Sequence, residues 1–182
     1  MAWVTSKEPP KEAETKAGVI KITTEERPIA QIIKTSLSMK IVTDGERKET
    51  AYHIFLTRPG SPEEKEIGHA EVLYRKVSDI KHPMMHAILA NAGLKDDDKI
   101  AMINKLYPIT FEEKDTPTGK QLVLSDELSR KGIGRAVLAD ILERCRSEGA
   151  AAAYCCTKNP VLRHMLDKSG FQRTEYFYLK TL

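Results

Sequence analysis

The sequence has few cysteines and no long apolar run. Its 182 residues include only three cysteines, Cys145, Cys155 and Cys156, and the last two are adjacent. An odd set of this kind cannot form a disulfide framework, which favours a reducing compartment. No apolar stretch reaches the length needed to cross a bilayer, and the first residues lack the apolar core of a secretion signal. We therefore expect a cytoplasmic protein with no membrane partner.

A large excess of one charge is also missing. The 29 basic residues are nearly balanced by 26 acidic ones, and the two kinds are interspersed along the chain. A nucleic-acid-binding face requires clustered basic residues, so we expect no specific nucleic-acid partner. The small basic excess is consistent with contacts to a polyphosphate cofactor. The length indicates one domain with a substantial core.

The first half of the chain has the pattern of antiparallel strands that follow a polar tail. Residues 1–17 are charged and poor in apolar side chains, which predicts a flexible tail before a single domain over 18–182. Apolar, β-branched runs then indicate strands. These runs cover 19–23, 32–42, 51–57 and 67–74. Asp44-Gly45, after the second run, is typical of a turn.

The pattern changes to helices after residue 78. Residues 83–91, with Gly93 beyond them, predict one helix, and 99–106, preceded by three aspartates, predict a second. His82 and His86 have the spacing of two metal ligands on a helix, but no third ligand accompanies them. We therefore predict no metal site.

The stretch from Leu122 to Ala136 has the pattern of an anion-binding site. A short apolar strand, 122–124, and a polar loop precede Gly132-Ile133-Gly134, where a helix begins. The first N–H groups of a helix lack partners within the helix, and the helix dipole adds positive potential there. The two glycines let a phosphate approach the backbone. Cationic side chains surround the loop, namely Arg130, Lys131 and Arg135.

The remaining residues predict an alternation of strand and helix. An amphipathic helix over 134–147 is followed by a small, apolar strand over 150–156, so strands 122–124 and 150–156 are expected to form a parallel β-α-β unit. Asn159-Pro160 is typical of a helix start, and Gly170 of the residue after a helix end. A final strand covers 176–180.

Two motifs in this region resemble those of the GCN5-related N-acetyltransferase (GNAT) superfamily. The family's acyl-CoA pyrophosphate loop, Gln/Arg-x-x-Gly-x-Gly/Ala, matches residues 129–134 at both glycines, with Ser129 in the first position. The family's second motif matches at Asn159, Lys168, Gly170 and Phe171. The resemblance covers about residues 120–182. It implies an α/β (α+β) fold whose central mixed, mostly antiparallel sheet is flanked by helices, with a β-α-β-α-β C-terminal half. It divides the domain into an acceptor-side half, 18–119, and an acyl-CoA-binding half, 120–182.

The resemblance also implies direct transfer of an acetyl or other acyl group from acyl-CoA to an amine of a small molecule or protein. The cofactor-binding residues that it implies are Leu122, Leu124, Arg130, Lys131, Gly132, Ile133, Gly134, Arg135 and Asn159. We predict Glu71 as the general base, with His69, Glu112 and Glu113 as alternatives. The CoA thiolate either leaves unassisted or is protonated by a nearby acid, for which we name Tyr154. Other possible donors are His164, Tyr176 and Tyr178.

One departure leaves alternatives open. Many family members have a tyrosine four residues before the second motif's glycine, and this chain has Leu166 there, which cannot donate a proton. Two alternatives to an enzyme therefore stay open: a catalytically inactive CoA-binding module, or a protein-interaction domain on the same scaffold. We expect acetyl-CoA as co-substrate, no metal, and a monomer or homodimer.

Overall fold

The computed structural model describes residues 4–5, 11–34, 39–57, 60, 62–106, 111–117, 119–124 and 131–182. The strands have the following bounds: β1 Val4–Thr5, β2 Lys11–Thr15, β3 Gly18–Lys34, β4 Met39–Thr57, β5 Glu64–Lys76, β6 Lys99–Leu106, β7 Phe111–Thr116, β8 Gly119–Leu124, β9 Ala152–Cys155, β10 Gln172–Arg173 and β11 Tyr178–Thr181. The helices are α1 Pro83–Asn91, α2 Ile133–Ser147 and α3 Pro160–Lys168, with a 3₁₀ turn at Val77–Asp79.

Nine of the described strands form one mixed sheet. Its order is β1-β3-β4-β5-β6-β9-β11-β10, and β2 also pairs with β3. The successive strands β3, β4, β5 and β6 are antiparallel neighbours, whereas β6 and β9 run parallel. Strands β7 and β8 form a separate hairpin. The predicted fold class, a mostly antiparallel α/β sheet flanked by helices with β-α-β-α-β order at its C-terminal end, is confirmed.

Helices cover both faces of the sheet. Because side chains alternate along a strand, Ala101 and Ile103 of β6 join the larger buried cluster under α2, while Ile100 joins a second cluster under α1. The larger cluster contains Val137, Leu138 and Ile141 of α2. Within the described ranges, no helix is long and apolar enough to span a bilayer.

The helix predicted at 99–106 is wrong, since these residues form the central strand β6. Ile100, Ala101 and Ile103 are buried, and they face both sides of the sheet. A strand covered on both faces has no alternation of apolar and polar residues, so its pattern is not distinguishable from that of a buried helix. The aspartates before it form a turn, in which Lys95 N–H donates to Asp98 Oδ2 at 2.7 Å.

Two predicted connections are also strands. The Asp44-Gly45 dipeptide lies inside β4, next to an irregularity in which Pro28 pairs with Lys48 but Ile29 pairs with Asp44. The extra residues of β4 therefore form a bulge instead of a turn. The loop predicted at 112–119 belongs largely to the β7–β8 hairpin.

The predicted parallel unit has a different first strand. β9 pairs with β6 in the parallel sense, and β8, which contains Leu122 and Leu124, pairs with β7. Spacing along the chain cannot show that a hairpin lies between the central strand and α2. Lys11–Thr15, within the segment predicted as a flexible tail, pairs with β3 as strand β2. The division of the domain into two halves stays a prediction.

Candidate acyl-CoA site

The start of α2 has no side-chain cap among the residues that the structure describes. Gly132 precedes the helix with φ 92° in the left-handed region, and it has no side chain that could cap the helix. Ala136 N–H donates to Gly132 O at 3.0 Å, which closes the first turn. The N–H groups of Ile133, Gly134 and Arg135 precede the first intrahelical donor, so they point out of the helix end. This end can therefore bind an anion.

The side chains around this turn have different environments. Ile133 is 1% exposed and belongs to the larger core cluster, so only its backbone can reach a ligand. Lys131 is half-buried and Arg135 is exposed, and both are cations beside the helix start. Arg130 and Ser129 lie outside the described residues.

The two glycines of the motif have separate structural reasons. Gly132 needs its positive φ, which costs other residues free energy. A Cβ at Gly134 would lie 3.0 Å from Met165 Sδ of α3, so this glycine lets α2 and α3 approach closely. The sequence predicts that both glycines let a phosphate approach the backbone. The structure adds that Gly134 also serves the contact between the helices.

The helix start lies at the carboxyl ends of the parallel strands β6 and β9. Their pairing ends at Ile103 and Cys155, where β9 itself ends, whereas β6 continues to Leu106. Val72 pairs with Ile103 and Glu71 with Lys105, which leaves Asn104 as the extra residue of a bulge. No sequence motif marks this position. Its only signal is a polar residue within the apolar run 100–106.

Asn159 caps the start of α3. Its Oδ1 accepts hydrogen bonds from Val161 N–H at 2.9 Å and Leu162 N–H at 3.3 Å. This confirms the predicted helix start, with Pro160 as the first helical residue. The carboxamide NH₂ of Asn159 can still donate to a ligand, because the cap uses only the oxygen.

Glu71, the predicted base, is 8% exposed on β5. Its strand partner is Lys105, so it lies beside the bulge at Asn104. His69 is two residues earlier on the same strand, and it pairs directly with His53 of β4. Side chains two residues apart share a face, so Glu71, His69 and His53 form a row of titratable groups. The sequence alone did not indicate His53, because only the strand register brings it opposite His69.

Tyr154, the predicted acid, is 2% exposed on β9 and pairs with Met102 of β6. Its ring packs against Phe177 with centroids 5.6 Å apart and an interplanar angle of 64°. Burial raises the pKa of Tyr154, although nearby Arg75 lowers it, so the phenol stays protonated at neutral pH. Tyr154 lies one residue before the pairing of β6 and β9 ends.

The other predicted donors are spread over different places. Tyr176 is 39% exposed and its hydroxyl contacts Met84 Sδ at 3.4 Å, whereas Tyr178 is buried in the larger core cluster. His164 is exposed on α3. Leu166 is fully buried in the core, so the position where the family often has tyrosine serves packing in this chain.

Three further cysteine and histidine side chains make contacts within the fold, namely Cys155, His82 and His86. Burial raises the pKa of Cys155 to about 12, so its thiol stays protonated and behaves as a small apolar group. His82 Nδ1 accepts a hydrogen bond from Met85 N–H, and His86 Nε2 lies 3.0 Å from Asp96 Oδ1. Among the residues that the structure describes, no three His, Cys, Asp or Glu side chains form a group that could hold a metal.

Comparisons with known proteins give matches among solved structures. No protein-family model and no curated protein sequence matches the chain. A crystal structure of a KacT mutant aligns with 73% of this chain and 71% of its own, at 8% identity and a TM-score of 0.43. AtaT in complex with acetyl-methionyl-tRNAfMet aligns over the same shares, at 10% identity and a TM-score of 0.42. These values are too low to support an argument about function, which therefore depends on the geometry of this chain.

Proposed function

We propose that this protein is an acyl-CoA-dependent N-acyltransferase that transfers an acyl group, with acetyl as the simplest case, directly to an amine. The observation that carries this proposal is the start of α2, which has no side-chain cap among the described residues, together with the extension of β6 beyond its last pair with the parallel strand β9. Ligands of open sheets commonly bind at the carboxyl ends of the strands. The loop motif and Asn159, together with this position, support CoA as the ligand.

The diphosphate of CoA binds the N–H groups of Ile133, Gly134 and Arg135, with the cationic side chains of Lys131 and Arg135 beside it, and the role of Arg130 stays a prediction from the sequence. The pantetheine arm enters between β6 and β9. The main chain of β6 beyond Ile103 borders this gap, so we assign the arm to it instead of to Leu122 and Leu124, which lie in the separate hairpin. The bulge at Asn104 turns a backbone N–H away from the ladder, where it can polarise the thioester carbonyl.

The reaction needs a neutral amine. A lysine-like amine with a pKa near 10.4 costs roughly 4.6 kcal/mol to deprotonate at pH 7. We assign this deprotonation to Glu71, directly or through His69 and His53 or a water. The amine nitrogen then attacks the thioester carbon, an N–C bond forms, and the C–S bond breaks. Tyr154, held protonated by burial, is proposed to protonate the departing thiolate.

Binding of acetyl-CoA and release of CoA thiol test the proposal separately. A ligand at a hundred times its Kd should raise the free energy of unfolding by about 2.7 kcal/mol, which thermal unfolding detects. Free-thiol release over a panel of small amines and lysine peptides then measures transfer. We expect both signals. Absence of stabilisation by acetyl-CoA would remove the proposed function.

A charge substitution at the helix start gives a matched control. Gly134→Asp and Gly134→Asn add side chains of the same size against Met165, but only the aspartate brings a negative charge next to the diphosphate. We expect the Asp variant to bind acetyl-CoA at least roughly tenfold more weakly than the Asn variant, measured by calorimetry. Equal affinities in two folded variants would contradict the assigned phosphate position.

A second candidate function is CoA binding without transfer, which the buried Leu166 favours. Such a module would show stabilisation by acetyl-CoA but no thiol release with any amine. The same two measurements therefore distinguish the enzyme from the module.

A further inference from the structure

The turn between β2 and β3 lies against Lys131 and Gly132, called here the phosphate loop, although the two segments are more than a hundred residues apart in sequence. Within this turn, Thr15 Oγ1 donates to Gly18 O at 2.8 Å and accepts from Ala17 N–H at 3.2 Å. Lys16 N–H donates to Lys131 O at 3.1 Å, which joins the turn directly to the residue before Gly132. The turn is therefore held in one position relative to the start of α2.

Strand β2 is also fixed along α2. Lys11 Nζ lies 3.5 Å from Asp140 Oδ1 and 3.3 Å from Glu143 Oε2, both on α2. Ala13 and Ala17 pack against the larger core cluster, which contains the apolar face of the helix. These contacts use the backbone of Lys16 and the side chains of its neighbours. They leave the exposed Lys16 side chain for another role.

An open depression of about 370 Å³ lies between the turn and the phosphate loop. It is lined by Glu14, Thr15, Lys16, Lys131 and Gly132. Two of these residues are cations, they come from distant parts of the chain, and the outward N–H groups of α2 begin directly after Gly132. Among the described residues of the lining, Glu14 is the single acidic one. The local charge therefore favours an anion, with Glu14 opposing it.

We infer that the Lys16 side chain binds a phosphate group of CoA. In this arrangement the β2–β3 turn and the phosphate loop hold CoA phosphate groups between Lys16 and Lys131. This inference rests on the proposed function. CoA carries a diphosphate and a 3′-phosphate, and an ammonium group recognises either one by the same charge-assisted hydrogen bonds. Glu14 weakens the site by repelling the same phosphates.

Calorimetric titration with acetyl-CoA tests the inference. Lys16→Ala keeps the backbone bond to Lys131 and should weaken binding by roughly three- to tenfold, because the contact is partly exposed to solvent. Glu14→Gln should strengthen binding, since it removes a negative charge without changing the side chain's size. The two opposite changes should both shrink in high salt. A matched control is Lys81→Ala, an exposed lysine outside the depression, which should leave affinity unchanged.

Dephospho-CoA, which lacks the 3′-phosphate, identifies the phosphate group. A loss in Lys16→Ala with acetyl-CoA but not with dephospho-CoA assigns Lys16 to the 3′-phosphate, and equal losses assign it to the diphosphate. If the unchanged protein binds acetyl-CoA and Lys16→Ala binds it equally well, the inference fails while the proposed function stands. If the unchanged protein binds no acetyl-CoA, the proposed function fails and the inference fails with it.

Discussion

At the scale of single residues, the two glycines at the start of α2 show how one motif combines separate requirements. Gly132 is defined by its backbone conformation, and a Cβ built on it would meet no atom of the described residues within 4 Å. Gly134 is defined by its neighbour, because a Cβ there would press on Met165 Sδ. A substitution at the first position therefore changes backbone strain, and one at the second changes helix packing.

We predict that Gly132→Ala destabilises the protein by about 1–2 kcal/mol, because alanine is strained at a φ of 92°. The melting temperature should fall by about 2–4 °C for each kcal/mol. Gly132→Asn is the matched control and should cost less, since asparagine tolerates the left-handed region better. Differential scanning calorimetry without ligand measures both. An alanine variant as stable as the unchanged protein would show that this position does not require a positive φ.

At the scale of elements, the strand order in the sheet puts β6 next to β9, whereas the order along the chain suggests β8 as its neighbour. The chain goes from β6 through the β7–β8 hairpin before it reaches α2, yet β6 is the parallel neighbour of β9. The proposed cofactor site is therefore assigned to β6 and its bulge instead of to β8. Asn159 starts α3 at the same carboxyl end of β9, so one residue can both cap a helix and reach the cofactor.

We predict that Asn159→Ala lowers the free energy of unfolding by about 1 kcal/mol, because two N–H groups lose their acceptor. Asn159→Ser keeps a capping oxygen and should retain most of this stability, but it removes the carboxamide NH₂. If that group binds CoA, the serine variant should bind acetyl-CoA several-fold more weakly despite its stability. Urea unfolding and calorimetric titration separate the two roles. A serine variant with unchanged affinity would remove Asn159 from the cofactor site.

At the scale of the whole molecule, several weakly acidic groups lie in or against the larger core cluster. Burial raises the pKa of Cys145 to about 11 and that of Cys155 to about 12. It also raises the pKa values of the Tyr52 and Tyr74 hydroxyls. Tyr74 O–H lies 3.8 Å from Cys145 Sγ, which links the two kinds of group in one polar cluster of the core.

We predict that the protein loses stability as the pH rises above about 8.5. In the unfolded chain, thiols ionise near 8.5 and phenols near 10, whereas the buried groups keep their protons. The unfolded state then binds fewer protons than the folded state, so the free energy of unfolding falls with rising pH. Each buried thiol should lower the free energy of unfolding at pH 10 by about 2 kcal/mol relative to neutral pH. Below pH 8 this loss is absent, because the thiols carry their protons in both states.

Urea unfolding at pH 7.5, 9 and 10 measures this dependence. Cys145→Ala lowers the stability at every pH because it leaves a cavity, but it should flatten the slope by up to one proton between pH 9 and 10. Equal stability of the unchanged protein at pH 7.5 and 10 would contradict the prediction, as would an unchanged slope in the variant.

The sequence by itself determined the elements whose signals are local. α1 and α3 each begin with a proline and end before a glycine, and α2 has one apolar face, so their positions follow from residues within a few turns. The loop with Gly132 and Gly134, and the strands over 51–57 and 67–74, were likewise readable. The mostly antiparallel α/β class was implied by the resemblance of the two C-terminal motifs, and the strand pattern of the first half agreed with it.

Only the tertiary structure decided the relations between distant segments. It made 99–106 a central strand, because both faces of this apolar run are covered by other parts of the chain. It brought β6 instead of β8 beside β9, His53 opposite His69, and Lys16 against Lys131. Periodicity and capping describe neighbours along the chain. The candidate site instead depends on which strands pair and in what register, and this is set by the burial of the whole core.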